Sequence, residues 1–195
     1  MGLPVTERDV ARLLEYIELL VRWNAAYNLT AVRDPVEMAR RHVLDSLTLV
    51  GHVSGAVIDV GSGAGLPGIP LAILCPERSV VLLDANGKRA RFLRAVKREL
   101  GLRSTRVINA RAEAWEPPDG AAVTIVSRAL ARLRGFIEMT RCWRGAEMRW
   151  VAMKGKLDRI ELADLPKGFS VADVIQVSVP GLSEERHLVM VTRCL

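Results

Sequence analysis

Cysteine is scarce in this chain. Cys75, Cys142 and Cys194 lie far apart and are odd in number, which argues against a disulfide framework and for reduced thiols. Histidine is equally scarce: His42, His52 and His187 keep no metal-ligand spacing, so no metal is expected. No apolar run approaches the ~18 residues of a membrane span. The first residues show no basic stretch leading into an apolar one, so no secretory signal is expected. Internal repeats, linkers and low-complexity tracts are also missing. These absences predict a cytoplasmic protein with no membrane partner.

What is present is a chain of 195 residues, 50% apolar. That length buries one good core, so a single domain over 1–195 is the simplest organisation. The net charge is +6, and 23 of the 28 basic residues are arginine. Such a balance suits an acidic partner such as nucleic acid, or only a basic surface. The clusters are Arg40-Arg41, Lys88-Arg89 with Arg91 and Arg94, and Arg132 with Arg134. The second spreads over more than one helix face, so part of it reads as solvated surface.

The most informative stretch is Ala56-Val-Ile-Asp-Val-Gly-Ser-Gly-Ala-Gly, followed by Val80-Val-Leu-Leu-Asp. A short apolar run enters a glycine-rich turn, and a helix leads to a second apolar run ending in an acid. That order places a nucleotide-type cofactor across the carboxyl ends of parallel strands. Gly63-Ala-Gly65-Leu-Pro-Gly68 matches the dinucleotide pattern G-x-G-x-x-G, with Asp84 at suitable distance. The match begins three residues after the strand, however. In register, the turn reads Asp59, Gly61, Gly63 and Gly65, with Leu66 where a dinucleotide site wants its third glycine. Asp59 would repel a pyrophosphate and attract a cationic amino-acid tail. S-adenosylmethionine carries such a tail and no phosphate. Asp59, Gly61 and Gly63 are therefore candidate cofactor contacts. Asp84, closing the second strand, is a candidate for the ribose hydroxyls; it or Asn86 could instead cap the following helix.

Periodicity supplies the surroundings. Thr6 and Asp9 resemble a capping box, and Val10, Leu13, Leu14, Ile17, Leu20 and Val21 follow at helical spacing. A second helix is expected from Asp34-Pro35, carrying Met38, Val43, Leu44, Leu47 and Val50. Residues 1–54 thus form a helical preface to a core over 55–195. In the core, strands are expected near 56–60, 80–84, 105–110, 122–127 and 149–153, and helices near 67–75, 88–100 and 132–142. The alternation predicts an α/β fold with a parallel sheet covered on both faces. Asp173–Val179 and His187–Arg193 are expected to close it as an antiparallel hairpin around Pro180-Gly181. Glu116-Pro-Pro-Asp-Gly reads as a loop. A mostly parallel sheet with an antiparallel C-terminal hairpin is the Rossmann-like arrangement of S-adenosylmethionine methyltransferases.

Several segments carry a more specific likeness. They are Trp23-Asn-Ala-Ala-Tyr-Asn-Leu-Thr, Arg41-His-Val-Leu-Asp-Ser, the Asp59 turn with its Gly65-Leu-Pro-Gly-Ile-Pro tail, and Leu83-Asp with Gly87-Lys-Arg and Arg91-Phe-Leu. Ser127-Arg-Ala, Met153-Lys-Gly and the segment from Pro180-Gly-Leu to Arg186-His-Leu-Val agree with them. Together they resemble the glucose-inhibited division protein B family, the bacterial small-subunit ribosomal RNA guanine-N7 methyltransferases, from about Val10 to Arg193. The resemblance implies a methyl transfer from S-adenosylmethionine to guanine N7 in 16S rRNA, as free RNA or in the 30S subunit. It also implies cofactor contacts at Gly61, Leu66, Ala112, Glu113 and Arg128. The chain departs from the family at Asn86, commonly an apolar or small residue, and at Arg144-Gly-Ala-Glu-Met, which replaces a Pro-Gly-Gly turn. Gly145 can still make that turn, so a changed loop is expected and not a changed fold.

Guanine N7 offers a free lone pair and no proton, so the transfer needs alignment and no general base. In keeping with this, the chain has no Asn/Asp-Pro-Pro-aromatic motif and no Pro-Cys nucleophile; Cys75-Pro76 has the reverse order. No acid–base residue is assigned. Arg128 ends a buried apolar strand and must find a partner there, either RNA, cofactor or an acid. Lys154 follows the fifth strand, as a substrate-positioning residue or a solvated lysine. Asn28, Arg41 and His42 either shape an RNA entrance or bond the preface to the core. Two other readings of the chain stand: an NAD-dependent oxidoreductase, and an RNA-binding module with a degenerate cofactor site.

Overall fold

The first helix, α1 (Glu7–Tyr27), opens on a reciprocal cap. Thr6 Oγ1 accepts the Asp9 N–H at 3.2 Å, and Asp9 Oδ2 accepts the Thr6 N–H at 3.0 Å. The computed structural model describes residues 3–117, 122–144 and 147–194. Leu13, Ile17 and Leu20 of the expected stripe are buried, whereas Val10, Leu14 and Val21 are exposed. Tyr16 and Asn24 share the buried face because their polar tips find partners: the Tyr16 hydroxyl donates to the Ala64 carbonyl at 2.7 Å, and Asn24 Oδ1 accepts the Thr30 N–H at 2.9 Å. Asn28 ends the helix in the left-handed region, φ 49°.

The second preface helix starts where the sequence places it. Asp34 caps α2 (Pro35–Met38) by accepting the Glu37 N–H at 2.8 Å. It does not continue as one α-helix to Val50. A π-helical segment, Ala39–Leu44, leads into α3 (Asp45–Leu47) and a 3-10 turn, Val50–His52.

The core runs β1 (Ala56–Val60), α4 (Gly68–Leu74), β2 (Val80–Leu83), α5 (Gly87–Glu99), β3 (Thr105–Ile108) and β4 (Val123–Arg128). It continues with α6 (Leu133–Thr140), β5 (Met148–Lys154), α7 (Arg159–Ala163), β6 (Phe169–Val177) and β7 (Arg186–Arg193). The sheet order is β3-β2-β1-β4-β5-β7-β6. Strands β1 to β5 pair in parallel, while β7 pairs antiparallel with both β5 and β6. The expected parallel sheet and terminal hairpin are both present. Three details differ. Helix α7 carried no sequence signal, being five residues long with no buried residue. Strand β6 begins earlier than expected, because an irregularity between Val171 and Asp173 breaks the two-residue alternation. It also ends at Val177 and not Val179. Gly145 and the Pro118-Asp119-Gly120 part of the expected loop lie outside the described residues.

Alternation along β1 sends Val57 to one face and Ile58 and Val60 to the other. On the first face Val57 joins Ile69, Leu71, Phe92 and Val96 from α4 and α5, and Leu13, Ile17, Leu20 and Met38 from the preface. On the second, Ile58 and Val60 meet Phe136, Ile137, Trp143 and Trp150. The preface is thereby part of one continuous apolar layer with the core. Strand order reverses between β1 and β4, so the crevice at their carboxyl ends is open to a ligand.

Candidate active site

A cleft of about 250 Å³ occupies that position. Its floor is the ends of β1 and β2, with Val60, Gly61, Leu83 and Asp84. Ala110, Ala112 and Glu113, beyond β3, form one side, and Leu130 and Met139 close over it. Gly61 has φ +69°, and a Cβ there would run into the Leu130 side chain. Only glycine lets both the turn and the roof stand. The Trp143 indole N–H, just beyond α6, donates to the Ala112 carbonyl at 3.1 Å and fixes the side wall.

The glycine turn is held from below by its acids. Gly61 N–H donates to the Leu83 carbonyl at 2.8 Å, tying β1 to β2. Asp84 Oδ2 accepts the Gly63 N–H at 2.8 Å, and Oδ1 accepts the Asn86 N–H at 2.8 Å. Asn86, not Asp84, caps α5, accepting the Lys88 N–H at 2.9 Å. The Asp84 carboxylate is therefore fixed at the cleft and keeps lone pairs for ribose hydroxyls.

Asp59 lies elsewhere than the sequence suggests. It is 0% exposed and absent from the cleft lining. Its Oδ2 accepts the Gly68 N–H at 2.9 Å, standing in for a side-chain cap that Pro67 cannot give to α4. A Cβ on Gly68 would sit 2.8 Å from that oxygen. Asp59 Oδ1 has no hydrogen-bond partner. Burial pushes the carboxyl up to about 7, against the pull of the Gly68 N–H and Arg128 and with some help from Asp84. Its place follows from pleat alternation, which turns it away from Val60 and toward the preface.

Of the expected contacts, Gly61, Asp84, Ala112 and Glu113 converge on this cleft. Gly63 supports it through Asp84, while Leu66 is buried behind the turn. Arg128 lines a second cleft of about 430 Å³ with His42, Asp45, Met153, Lys154 and Arg186. Its Nη1 donates to the Arg41 carbonyl at 2.8 Å and to Asp45 Oδ2 at 3.1 Å; its Nη2 lies 3.2 Å from His42 Nδ1. Burial, then the Arg128 charge, holds His42 down at about 4, so its ring is neutral. Guanidinium can only donate. Nδ1 is thus the acceptor, and Nε2 donates to Thr30 Oγ1 at 2.8 Å.

This settles part of what the sequence left open. His42 and the Arg41 backbone bond the preface to the end of β4. The Arg41 side chain pairs with Glu37 and Glu184, each at 2.7 Å, and Asn28 accepts from Arg33 at 2.9 Å. Lys154 is not a solvated lysine: its Nζ pairs with Glu161 Oε1 at 2.6 Å. Sequence reasoning missed Tyr16, Asp45, Leu130, Met139 and Glu161. Tyr16 was detectable as part of the α1 stripe, three residues after Leu13. Asp45 lay inside the Arg41–Ser46 segment that carried the family likeness; Leu130, Met139 and Glu161 gave no signal of their own.

The residues fit S-adenosylmethionine. Apolar walls at Leu83, Ala112, Leu130 and Met139 suit an adenine, and the fixed Asp84 carboxylate suits a ribose. The Asp84 carboxylate at the cleft also disfavours a pyrophosphate. Among the described residues no three His, Cys, Asp or Glu side chains are grouped to hold a metal, and no helix is long and apolar enough to cross a membrane.

Known proteins bear on this geometry. The family model GidB, described as rRNA small subunit methyltransferase G, matches residues 9–189. "Ribosomal RNA small subunit methyltransferase G" of Pseudomonas paraeruginosa is 48% identical over 198 residues, covering 99% of this chain and 91% of that protein. The protein of the same name from Chromobacterium violaceum is 47% identical over 191 residues, covering 97% and 91%. Among solved structures, a SAM-dependent methyltransferase from Aquifex aeolicus superposes with a TM-score of 0.60 at 16% identity, covering 81% of this chain and 93% of that one. A variant of MtNAS in complex with S-adenosylmethionine gives 0.57 at 18% identity, covering 96% and 77%.

Proposed function

Since this chain belongs to the GidB family of rRNA small subunit methyltransferases G, we propose that it methylates N7 of a guanine in 16S rRNA, with the 30S subunit or its precursor as partner. At the coarser level it is an S-adenosylmethionine-dependent rRNA methyltransferase. The observation that carries the reading is the cleft in which backbone at Gly61, the Asp84 carboxylate and apolar walls meet at the β1/β4 crossover. Family membership sets aside the oxidoreductase and the degenerate binding module.

The cofactor supplies an electrophilic methyl on a sulfonium. The chain's own work is placement. Asp84 would receive the ribose hydroxyls, and Ala112 and Glu113 would border the adenine. Arg128 and Lys154, at the ends of β4 and β5, line the second cleft, which we assign to the acceptor guanine. Glu161 pairs with Lys154, and Asp45 is shared between Arg128 and Arg186, so carboxylates stand among the cations of this cleft. That balance suits a base whose N7 becomes positively charged as the N–CH3 bond forms and the S–CH3 bond breaks. Neutral His42 adds no further charge. No proton leaves N7, so no general base is needed.

The test is transfer of a labelled methyl to 16S rRNA and to 30S particles lacking the modification, followed by mapping of the labelled base. Label on one guanine at N7 is expected. Label on an exocyclic amine or a pyrimidine would overturn the reading.

A further inference from the structure

Helix α5 carries cations of which the cofactor cleft takes only Arg89, 3.7 Å from Asp84 Oδ2. Its 13 residues hold Lys88, Arg89, Arg91, Arg94, Lys97 and Arg98 against one acid, Glu99. Two of these cations, Lys88 and Arg89, stand in the first turn, where the helix dipole disfavours them. Arg91, Arg94 and Arg98 fall at i, i+3 and i+7, on one face. They line an open cleft of about 440 Å³ with Trp23 and Asn109. Arg40, Arg41, Arg134 and Arg141 all pair with acids. Among the described residues no acid pairs with Arg91 or Arg94, and Arg98 has only its exposed neighbour Glu99 at 3.8 Å. Arg91 instead reaches the Tyr27 hydroxyl at 3.4 Å.

The position of this face is as telling as its charge. Asn109 donates to the Asp84 carbonyl at 2.9 Å, so the arginine cleft and the cofactor cleft share a wall. Trp23, packed in tilted contact with Tyr27 at 5.1 Å and Phe92 at 5.6 Å, offers an aromatic surface within it. The segment just beyond α1 reaches the acceptor side, where Val32 lines the second cleft. One strand of RNA could lie along α5, cross the end of α1 and deliver a base between β4 and β5.

We propose that Arg91, Arg94 and Arg98, with Trp23, form a docking track for the phosphodiester backbone of the RNA flanking the target base. The proposal rests on the RNA reading above, but its readout is binding and not methylation. Unpaired cations on one helix face complement regularly spaced phosphates, and aromatic surface accepts a base without sequence preference.

The experiment compares three triple variants with the native protein. They are Arg91→Gln/Arg94→Gln/Arg98→Gln, the corresponding Arg→Lys set, and Arg141→Gln/Arg144→Gln/Arg149→Gln as an equal charge loss elsewhere. Each is titrated with unmodified 16S transcript over a range of salt, and with S-adenosylmethionine by calorimetry. The first variant should bind RNA about tenfold or more weakly, with log K against log salt shallower by about 2–3, at ~0.7–0.9 per lost phosphate contact. Cofactor affinity and melting temperature should not move. The Arg→Lys set should retain the slope, and the remote set should match the native protein. An unchanged slope in a folded first variant overturns the proposal, as does equal weakening by the remote set or equally tight binding of poly-glutamate. If the native protein binds RNA on this track but methylates none, the docking surface stands and the function reading falls.

Discussion

At the residue scale, the two acids of the glycine turn have different jobs. Asp84 faces the cleft with both oxygens already fixed by backbone N–H groups. Asp84→Asn would set an amide NH2 against one of those donors and remove the charge from the ribose site. Hydrogen bonds to charged groups contribute about 1.5–3 kcal/mol, so S-adenosylmethionine should bind ~10–100-fold more weakly by calorimetry, with RNA affinity unchanged. Asp59 is buried, with its carboxyl pushed up to about 7. Above pH ~4 the unfolded chain has lost this proton while the native state keeps it. Stability from this group therefore falls as pH rises from about 4 to about 7, then levels off. Asp59→Asn should remove that slope. Urea midpoints of both proteins between pH 4 and 8 test this; parallel curves would show that Asp59 does not titrate in that window.

At the scale of elements, one polar joint between preface and sheet is built on Arg128. Arg128 leaves β4 and meets the π-helical segment through the Arg41 carbonyl, His42 and Asp45. Its side chain is 18% exposed and that of Asp45 is 6%. Removing one partner of such a pair leaves the other under-compensated. Arg128→Met should cost about 3 kcal/mol in urea unfolding; Arg186 Nε also lies 3.3 Å from Asp45 Oδ1, so adding Asp45→Asn together with Arg186→Met should recover part of it. No recovery would mean that the pair carries little of the joint. The sequence marked Arg128 as a residue needing a partner, but a partner 83 positions away leaves no periodic trace. The same limit explains the π-helical segment and α7. Hydrophobic spacing reports which face is buried; it does not report a widened turn or a short charged helix fixed by Asp158. By contrast β1, β2, α4 and α5 were legible nearly to the residue. Their apolar runs, glycines and caps are local, and local chemistry is what a sequence displays. The cleft was legible for the same reason on its floor, at Gly61 and Asp84. Its roof at Leu130 and Met139 was not, because those side chains enter from a distant loop and helix.

At the scale of the molecule, net charge of +6 said little until the charges were sorted by partner. Most arginines outside α5 named above are engaged with acids and tie elements together. On α5, Arg89 stands 3.7 Å from Asp84 and Arg98 3.8 Å from Glu99, while Arg91 and Arg94 are left to meet something else, on the same rim as the cofactor cleft. Rim and crossover together give the molecule a working edge at the carboxyl ends of its parallel strands, with the hairpin of β6 and β7 far along the sheet from β1 and β2.

The hydrogen bond from Tyr16 to the Ala64 carbonyl spans 48 residues and has a bearing on the order in which the protein is made. Synthesis delivers the preface first. Helix α1 has its own cap and can pack first on Met38 and Val43 of the preface, but Tyr16 lacks its acceptor until the glycine turn has been made. The turn, in turn, receives its rear support from an element that has been waiting. The part of the enzyme that holds no cofactor thus emerges before the cofactor site, which is completed only when the chain folds back onto its preface.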